Sequence, residues 1–560
     1  MTEDLKLSRA QISRAALQRL SLAMRHLFTR GSYKPLGVSG ESMISSMLAL
    51  NPEIYGSMGD EEKVELNGLL YIFQRLPQGI EQCRYIKLIS REGLEETNFE
   101  PLIPSKRRRN CYRIDEEQMY IEMTRGRSDI YDVLTHLTFM YIEAEKIRRN
   151  SLDPKNRKRR SWKMLRELVQ DLRAGKEINQ EVGYTYLSAI LGRSFKETAD
   201  AADKFSKAKD VNSLLEIIYE LGRLSMKEFF DKVDREISFS SPLRAKLGHH
   251  IFGEEWATQI KDTLWTHSLF KKDLHVISAN LHSVMNSLYA KQALKSKQKN
   301  KSLEELAGML SESKVLRQKV RDFALSNGMY EIHNPSGTNI SVQVIDCSKI
   351  KPEHLTPELG IGIEKNKLQD TVLIVMDYAF GEQAYETMDE LLKPYEFEGK
   401  KHKLDICSIN IMGKAGILQG GKSDLMIPSS HIFEGSADNY PFDNEFSAKD
   451  FEGYGLGVYE GSMITVLGTS LQNRDILRYF LKSSWKAVGL EMEGAHYQKA
   501  IQAAALIRNN IKRSVKLRYA YYASDNPLET GGTLASGSLG LDGVKPTYLI
   551  TSKMLEQILQ

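Results

Sequence analysis

Two short segments in the C-terminal third of the chain place carboxylates at the ends of apolar runs. Glu491 and Glu493 flank Met492 where an apolar run meets the predicted start of a helix. Asp525 comes two residues after the apolar run that ends at Ala523. Carboxyl groups in such positions serve as general acids or bases, and their ionised forms bind hydroxyl groups through charge-assisted hydrogen bonds. Both segments are therefore candidates for acid–base chemistry or ligand binding.

A third segment is rich in glycine. Gly413, Lys414, Ala415 and Gly416 stand at the predicted end of the strand Ile406–Met412. Two glycines separated by two residues allow the backbone to come close to a ligand, because no Cβ intervenes. We expect these four residues to border a bound ligand.

The elements that position these segments follow from the pattern after residue 327. Short apolar runs alternate there with helical stretches, which predicts a largely parallel sheet with helices on both faces. Ligands of such sheets lie beyond the carboxyl ends of the strands. The predicted strands are Ile340–Ile345, Thr371–Met376, Ile406–Met412, Asp424–Ile427, Ser462–Leu467 and Leu517–Ala523, and the predicted helices are Glu382–Leu392, Arg474–Leu481 and Gly494–Ile511.

The first 327 residues show mainly helical periodicity, with apolar positions three and four residues apart. Ser128–Ile147 and Asp273–Leu294 are two such stretches, and Ser128 or Asp129 is the expected helix cap. The sequence thus predicts a large, mostly α-helical region over residues 1–327, a connecting segment with an added strand over 328–370, and an α/β domain over 371–560. An oligomerisation platform, a regulatory nucleotide-binding region and a second catalytic unit remain open as roles of the helical region.

Composition narrows the classes of function. A chain of 560 residues is expected to form two or more domains. A net charge of only +4 argues against a chain-wide nucleic-acid binder. The basic clusters Lys106–Arg109 and Lys155–Arg160 lack interleaved aromatic residues and are expected on a solvated surface.

The sequence indicates no metal, no disulfide framework and no cofactor. The four cysteines are far apart, and His275 and His282 lack the spacing that metal ligands on a helix prefer. The first residues contain acidic side chains and no apolar core, and no apolar run approaches the roughly 18 residues of a membrane helix. We therefore expect a cytoplasmic protein without a membrane partner.

Taken together and in order, the three segments resemble the purine nucleoside phosphorylase/uridine phosphorylase superfamily. The Glu-Met-Glu-Gly-Ala string at Glu491–Ala495 is the most specific, and Ser-Asp-Asn-Pro-Leu at Ser524–Leu528 is similar to a motif of AMP nucleosidase. The resemblance covers Thr371–Gln560, and its nucleosidase branch also includes methylthioadenosine/S-adenosylhomocysteine nucleosidase. It implies a nucleoside phosphorylase-like mixed sheet, a homo-oligomer and a purine nucleoside or nucleotide substrate, with an AMP-like compound favoured.

The resemblance also implies roles for individual residues. Glu493 matches the carboxylate that binds the ribose hydroxyls, Met492 the methionine that packs on the sugar, and Asp525 the acid that protonates N7 of the purine. Glu491 and Ser524, their neighbours in the same motifs, are assigned to substrate binding. The alternative for both glutamates is that they only stabilise the N-terminus of a helix through its dipole.

Five further positions bear on the reaction. Glu382 lies about one residue from the place where the hydrolases keep a water-activating glutamate. An ungapped count back from Glu491 puts Ser470 and Leu471 at the purine-stacking aromatic and its neighbour, so the aromatic is missing. Ile411 stands where phosphorylases have a phosphate-binding arginine, and Lys414 is the nearby basic residue suited to a substrate phosphate. We expect hydrolysis, with phosphorolysis and non-catalytic nucleotide binding as alternatives.

Overall fold

The chain divides into two compact units. The computed structural model describes residues 8–107, 109–294, 301–333, 336–351, 355, 359, 365–529 and 539–560. The first unit comprises Met1–Thr124, Asp129–His249 and Ser470–Ile476. The second comprises Arg125–Ser128, His250–Thr469 and Leu477–Gln560.

The described chain contains groups of consecutive helices as well as strands. The helices are α1 (Arg9–Arg30), α2 (Val38–Leu50), α3 (Leu66–Phe73), α4 (Gly126–Asn150), α5 (Arg160–Arg173), α6 (Gln180–Leu191), α7 (Phe195–Ser206), α8 (Leu214–Met226), α9 (Ser241–Gly248), α10 (Ile251–Thr266), α11 (Leu281–Ala293), α12 (Leu303–Glu312), α13 (Lys314–Leu325), α14 (Lys365–Asp370), α15 (Gln383–Leu391), α16 (Arg474–Lys482), α17 (Gly494–Gln502) and α18 (Val544–Leu559). The strands are β1 (Ser32–Tyr33), β2 (Tyr85–Ile89), β3 (Cys111–Arg113), β4 (Gln118–Glu122), β5 (Glu236–Phe239), β6 (Asp273–Ser278), β7 (Met329–Ile332), β8 (Val342–Asp346), β9 (Thr371–Met376), β10 (Tyr395–Phe397), β11 (Lys400–His402), β12 (Ile406–Ile417), β13 (Leu425–Phe433), β14 (Asn439–Pro441), β15 (Val458–Thr465), β16 (Ala487–Glu491) and β17 (Lys516–Asp525).

The first unit is mostly helical, as expected, but it also contains a sheet. Its strand order is β1-β5-β2-β4-β3, with β2 parallel to both β4 and β5. The sequence analysis identifies none of these strands. They are two to five residues long, which is too short for an alternating apolar pattern to stand out from the surrounding helices.

Two expectations about polar residues of this region are wrong. Arg109 is buried rather than solvated, and its guanidinium binds Asp129 and Asp132, each at 2.7 Å. Asp129 is therefore an ion-pair partner rather than a helix cap, and Ser128 accepts the backbone N–H of Glu382 at 2.8 Å. The second cluster, Lys155–Arg160, is exposed as expected.

The second unit is built around a mixed sheet with helices on both faces. Alternate residues of β9 enter two different cores: Ile374 packs with Trp256 of α10, and Val375 packs with Leu288 of α11 and Leu555 of α18. Since side chains of a strand alternate between faces, a strand that is apolar at every position needs cover on both sides. The predicted α/β class with helices on both faces is confirmed.

Five strands of this sheet close on themselves. β12 pairs with β17, β17 with β13, β13 with β15, β15 with β16, and β16 with β12 again. Closure leaves little room inside the ring. A Cβ added at Gly489 would lie 2.3 Å from Met426 Sδ and 2.7 Å from the carbonyl oxygen of Gly416.

The second unit also begins earlier in the chain than the sequence pattern indicates. The segment Asp273–Ser278, assigned to a helix from its periodicity, is β6, and it lies between β9 and β12 as a parallel central strand. The six residues run almost directly into α11, so the combined stretch has helical periodicity. The main part of the second unit therefore starts at His250, whereas the predicted boundary lies between residues 327 and 328.

Candidate active site

A cavity of about 260 Å³ opens in the second unit beside four parallel strands. Its volume is just below the range of about 300–1,000 Å³ typical of small-molecule sites. β6, β9, β12 and β17 run in the same direction, so their carboxyl ends meet at one edge of the sheet, where ligands are expected. The lining residues are Ser278, Tyr378, Ala379, Ile411, Met412, Gly413, Lys414, Glu493, Tyr497, Tyr521 and Tyr522.

The carboxylates of the two glutamates in the Glu-Met-Glu segment have different hydrogen-bond partners and point to different places. Glu491, the last residue of β16, is buried and accepts hydrogen bonds from Thr465 Oγ1 and the backbone N–H of Glu493 at 2.5 Å each, and from the N–H of Gly494. It thereby caps α17. Glu493 instead turns its carboxylate to the cavity and accepts the N–H of Gly381 at 2.8 Å and of Met492 at 3.3 Å.

Burial shifts the proton affinity of both groups upward. Burial raises the pKa of Glu491 to about 8, and the nearby Glu493 carboxylate adds to the shift. Burial also raises the pKa of Glu493 to about 7, although the two backbone N–H groups and the Arg125 charge favour its ionised form. Two carboxylates this close disfavour a second charge, so the pair holds a proton in the neutral pH range.

Asp525 and Lys414 lie on adjacent strands at the same edge of the sheet. The single hydroxyl hydrogen of Ser524 has the carboxylate Oδ1 of Asp525 at 2.6 Å and the carbonyl oxygen of Ala415 at 3.1 Å as acceptors, and donation to the nearer Oδ1 positions the carboxylate. Partial burial lowers the pKa of the Lys414 amine, and the Asp525 carboxylate opposes that shift. Lys414 lines the cavity, whereas Asp525 and Ser524 are not among its lining residues.

The glycine-rich segment lies within β12 and does not follow it, because the strand continues to Ile417. Gly413 does line the cavity, and a Cβ there would lie 2.8 Å from two ring atoms of Tyr521. The space is thus used by an aromatic ring. The register of β12 against β17 shifts between Ala415 and Gly416, and neither residue lines the cavity.

Glu382 lies just before α15, in the loop after β9. Its carboxylate forms an ion pair with Arg127 at 2.9 Å, and it is not one of the cavity-lining residues. The preceding Gly381 has φ +56° and donates its N–H to Glu493. A Cβ at Gly381 would lie 3.7 Å from Met492 Cε, so Met492 packs against this loop.

Ser470 and Leu471 are not brought to the cavity. Both are buried, each with about 2% of its surface exposed, and they belong to the first unit. Ser470 forms a side-chain hydrogen bond with Tyr55. The ungapped count assigned these two residues to the purine-stacking position, but neither of them lines the cavity.

The sequence analysis missed most of the polar lining, above all Ser278 and the tyrosines. Tyr497 and Ser278 form a hydroxyl hydrogen bond at 3.0 Å, and Tyr521 is hydrogen-bonded to the buried His431 at 2.9 Å. Four tyrosines line the cavity, and they offer ring faces and hydroxyls to a ligand. The tyrosine pair of β17, directly ahead of the Ser-Asp motif, was the available signal, but it is indistinguishable from ordinary strand core.

One group of side chains has a metal-like arrangement elsewhere in the second unit. Ligand atoms of His250, Asp389 and Glu390 lie within 4.8 Å of one another. Arg508 forms an ion pair with Asp389, and Lys393 one with Glu390 at 2.5 Å. Protein cations thus already neutralise both carboxylates.

The chain belongs to DUF6909, a family of unknown function, whose model matches residues 41–303 and 302–560. No curated protein matches its sequence. No helix in the described part of the chain has the length and apolar character needed to cross a membrane.

Solved structures of two kinds of enzyme are similar to about half of the chain. The 5′-methylthioadenosine/S-adenosyl homocysteine nucleosidase of Campylobacter jejuni is 12% identical, with 51% of this chain and 99% of that one covered and a TM-score of 0.30. The futalosine hydrolase of Helicobacter pylori is 13% identical, with 51% of this chain and 97% of that one covered and a TM-score of 0.28. A nucleosidase from Colwellia psychrerythraea in complex with adenine is 10% identical, with 52% of this chain and 97% of that one covered and a TM-score of 0.29.

Proposed function

We propose that the second unit hydrolyses the N-glycosidic bond of a purine nucleoside or nucleotide, with an AMP-like substrate favoured. The observation that carries the proposal is the orientation of Glu493. Its neighbour Glu491 caps the helix, which leaves the Glu493 carboxylate in the cavity to accept hydrogen bonds from sugar hydroxyls. A carboxylate beside the sugar also stabilises the positive charge that develops as the glycosidic bond breaks.

In the proposed reaction the bond between the sugar carbon and the purine nitrogen breaks, and its electron pair leaves with the base. Asp525 donates a proton to N7 of the base, which makes the base a better leaving group. Water then adds to the sugar carbon and gives its proton to Glu382. Ser524 holds Asp525 for this role, and Lys414 at the same edge suits the phosphate of a nucleotide.

A second candidate is a nucleotide-binding protein without turnover. The observation that favours it is that Asp525 and Glu382 do not line the cavity, and that Glu382 is engaged by Arg127. The two candidates share the binding role of Glu493 and differ in whether a base is released.

The test is to incubate the purified chain with AMP, adenosine, inosine, guanosine and methylthioadenosine, with and without inorganic phosphate, and to assay free base. We expect base release that does not require phosphate, because Ile411 occupies the position of the phosphorylase arginine. Strict dependence on phosphate would establish phosphorolysis instead. No base from any substrate, together with a nucleotide-induced rise in Tm, would establish the binding protein, because ligand binding stabilises the native state without chemistry. A homo-oligomer is expected in the same preparation, measured by light scattering.

A further inference from the structure

Two hydroxyl groups meet at the wall of the cavity that contains the Glu493 carboxylate. Ser278 is the last residue of β6 and Tyr497 lies on α17, and their hydroxyl oxygens are 3.0 Å apart. Both residues are buried, with 1% and 2% of their surface exposed, and both line the cavity together with Glu493. The pair is therefore shielded from bulk solvent but borders the space that a ligand would occupy.

The pair has one hydroxyl hydrogen more than its own hydrogen bond uses. Each hydroxyl has one hydrogen, and either of the two oxygens is able to donate to the other. Whichever donates, the remaining hydrogen has no acceptor among the residues that the structure describes. A buried donor without an acceptor is unfavourable, so an acceptor atom in the cavity would complete the hydrogen bonding of Ser278 and Tyr497.

A second pair of a tyrosine and a hydroxyl residue provides the contrast. In the first unit, Tyr33 and Thr138 are also buried, with their hydroxyl oxygens 3.2 Å apart. Thr138 donates its hydrogen to the carbonyl oxygen of Leu134 at 2.7 Å, which leaves Tyr33 to donate to Thr138. Both hydrogens thus have acceptors within the protein, and neither residue lines the cavity. The extra hydrogen of the Ser278–Tyr497 pair therefore coincides with the cavity.

The pair lies one helical turn from the proposed sugar-binding carboxylate. The N–H of Tyr497 donates to the carbonyl oxygen of Glu493 at 2.9 Å, so the side chains of these two residues leave the same face of α17. The Cβ atoms of residues at this spacing are about 5–6 Å apart. A sugar bound by Glu493 is therefore large enough to contact the Ser278–Tyr497 pair as well.

We propose that the Ser278–Tyr497 pair donates its second hydroxyl hydrogen to the 5′ oxygen of the substrate. The proposal rests on the proposed function for the place of the sugar at Glu493. Of the sugar oxygens, the 2′ and 3′ hydroxyls bind Glu493, and the ring oxygen is a poor acceptor because it shares the positive charge that develops during cleavage. The 5′ oxygen remains, in a nucleoside and in a nucleotide alike. A thioether sulfur at that carbon is only a weak acceptor, so the pair selects substrates with oxygen there.

The experiment compares the wild type with a variant that lacks both hydroxyls, Ser278→Ala with Tyr497→Phe, and with the two single variants. Dissociation constants for adenosine, AMP, 5′-deoxyadenosine and methylthioadenosine are measured by calorimetry, and kcat and KM by base release. The matched control combines Tyr33→Phe with Thr138→Val, which removes a buried hydroxyl pair outside the cavity. Thermal unfolding is followed for every variant.

We expect the wild type to bind adenosine about 3- to 10-fold more tightly than 5′-deoxyadenosine, the range for one neutral hydrogen bond. The variant without both hydroxyls should lose this preference, because its affinity for adenosine and AMP falls by that factor while 5′-deoxyadenosine and methylthioadenosine bind within about twofold of the wild type. KM should follow the affinities with kcat retained. The control should keep the preference of the wild type.

An equal loss for adenosine and 5′-deoxyadenosine, or no change for either, would overturn the role of the pair. A fall in kcat shared by all substrates at unchanged KM would also overturn it, and would assign the pair to the attacking water instead. A lack of base release would overturn the proposed function alone, provided that the wild type prefers adenosine and the variant without both hydroxyls does not. If none of the four compounds binds to the wild type, both proposals fail.

Discussion

Replacing each glutamate of the Glu-Met-Glu segment by glutamine separates ligand binding from helix capping. In Glu493→Gln the side-chain oxygen still accepts the N–H of Gly381 at the shorter distance of 2.8 Å, so the loop contact survives, and the amide NH₂ replaces the oxygen that accepts the N–H of Met492 at 3.3 Å. We therefore expect a melting temperature close to that of the wild type. The amide, however, binds sugar hydroxyls without charge assistance.

The expected loss of activity follows from the number of hydroxyls. A hydrogen bond to a charged group contributes about 1.5–3 kcal/mol, against about 0.5–1.5 kcal/mol for a neutral one. Two ribose hydroxyls therefore lose about 2–3 kcal/mol together, which is roughly 30- to 150-fold in kcat/KM. A 2′-deoxy substrate has one hydroxyl left and should lose about half of this free energy, or roughly 5- to 12-fold.

Glu491→Gln is the matched variant. Its side chain accepts hydrogen bonds from Thr465 and two backbone N–H groups, and an amide presents its own NH₂ to one of these donors. Because burial raises the pKa of Glu491 to about 8, its side chain is already largely neutral at pH 7, so the amide should change the melting temperature little and affect activity equally for both sugars. Steady-state kinetics with paired ribo and deoxy substrates, together with thermal unfolding, measure both effects. Equal losses of the two substrates in Glu493→Gln, or the same behaviour of both variants, would refute the assignment.

Three other substitutions test the site and its support. Asp525→Asn should retain ligand binding but lose most base release, since general acids contribute about 10²–10⁴-fold, and near-wild-type turnover would contradict its role as the acid. Burial raises the pKa of Glu386 to about 8, whereas in the unfolded chain the group titrates near its usual value of about 4.5. Between these two values the native state holds a proton that the unfolded chain has released. The free energy of unfolding therefore falls as the pH rises from about 5 to about 8. Glu386→Gln has no titrating group at this position. Denaturant unfolding should therefore show that the free energy of unfolding of the variant, relative to the wild type, increases by about 1.4 kcal/mol per pH unit, or a few kcal/mol over this range. A difference that does not depend on pH would exclude the shift. Gly494→Ala should destabilise the fold by about 1–3 kcal/mol, because its Cβ would lie 2.2 Å from His431 Cδ2. Gly435→Ala is the control, because a Cβ there meets nothing within 4 Å and should leave the stability unchanged. Equal melting temperatures of the two variants would contradict the predicted clash with His431.

Strong local patterns place several elements of the second unit correctly, whereas the roles assigned to its residues stay predictions. β9 and α16 begin where the pattern places them, and Glu493 and Gly413 line the cavity. β6 escaped prediction because it leads directly into α11. A six-residue run that joins a helix shares its apolar spacing, and periodicity alone does not separate the two.

The remaining lining residues are joined only by tertiary structure. Ser278, the last residue of β6, meets Tyr497 of α17, which lies more than 200 residues further along the chain. Ser470 and Leu471 are the opposite case. An ungapped residue count assigned them to the ligand, but in the structure they belong to the first unit. Local sequence determines which side chains follow a strand, whereas the neighbours of that strand depend on distant segments.

Strand β12 links segments that are distant in sequence. It pairs with β6 and β17 on its two sides, so that Ile411 matches both Ser278 and Tyr519, and its last residues pair with β16. No local opening frees its amides while these partners remain. We therefore expect the central amides of β12 to exchange hydrogen with solvent only through unfolding of the whole second unit, and the strand to be completed late in folding, after β17 has been synthesised.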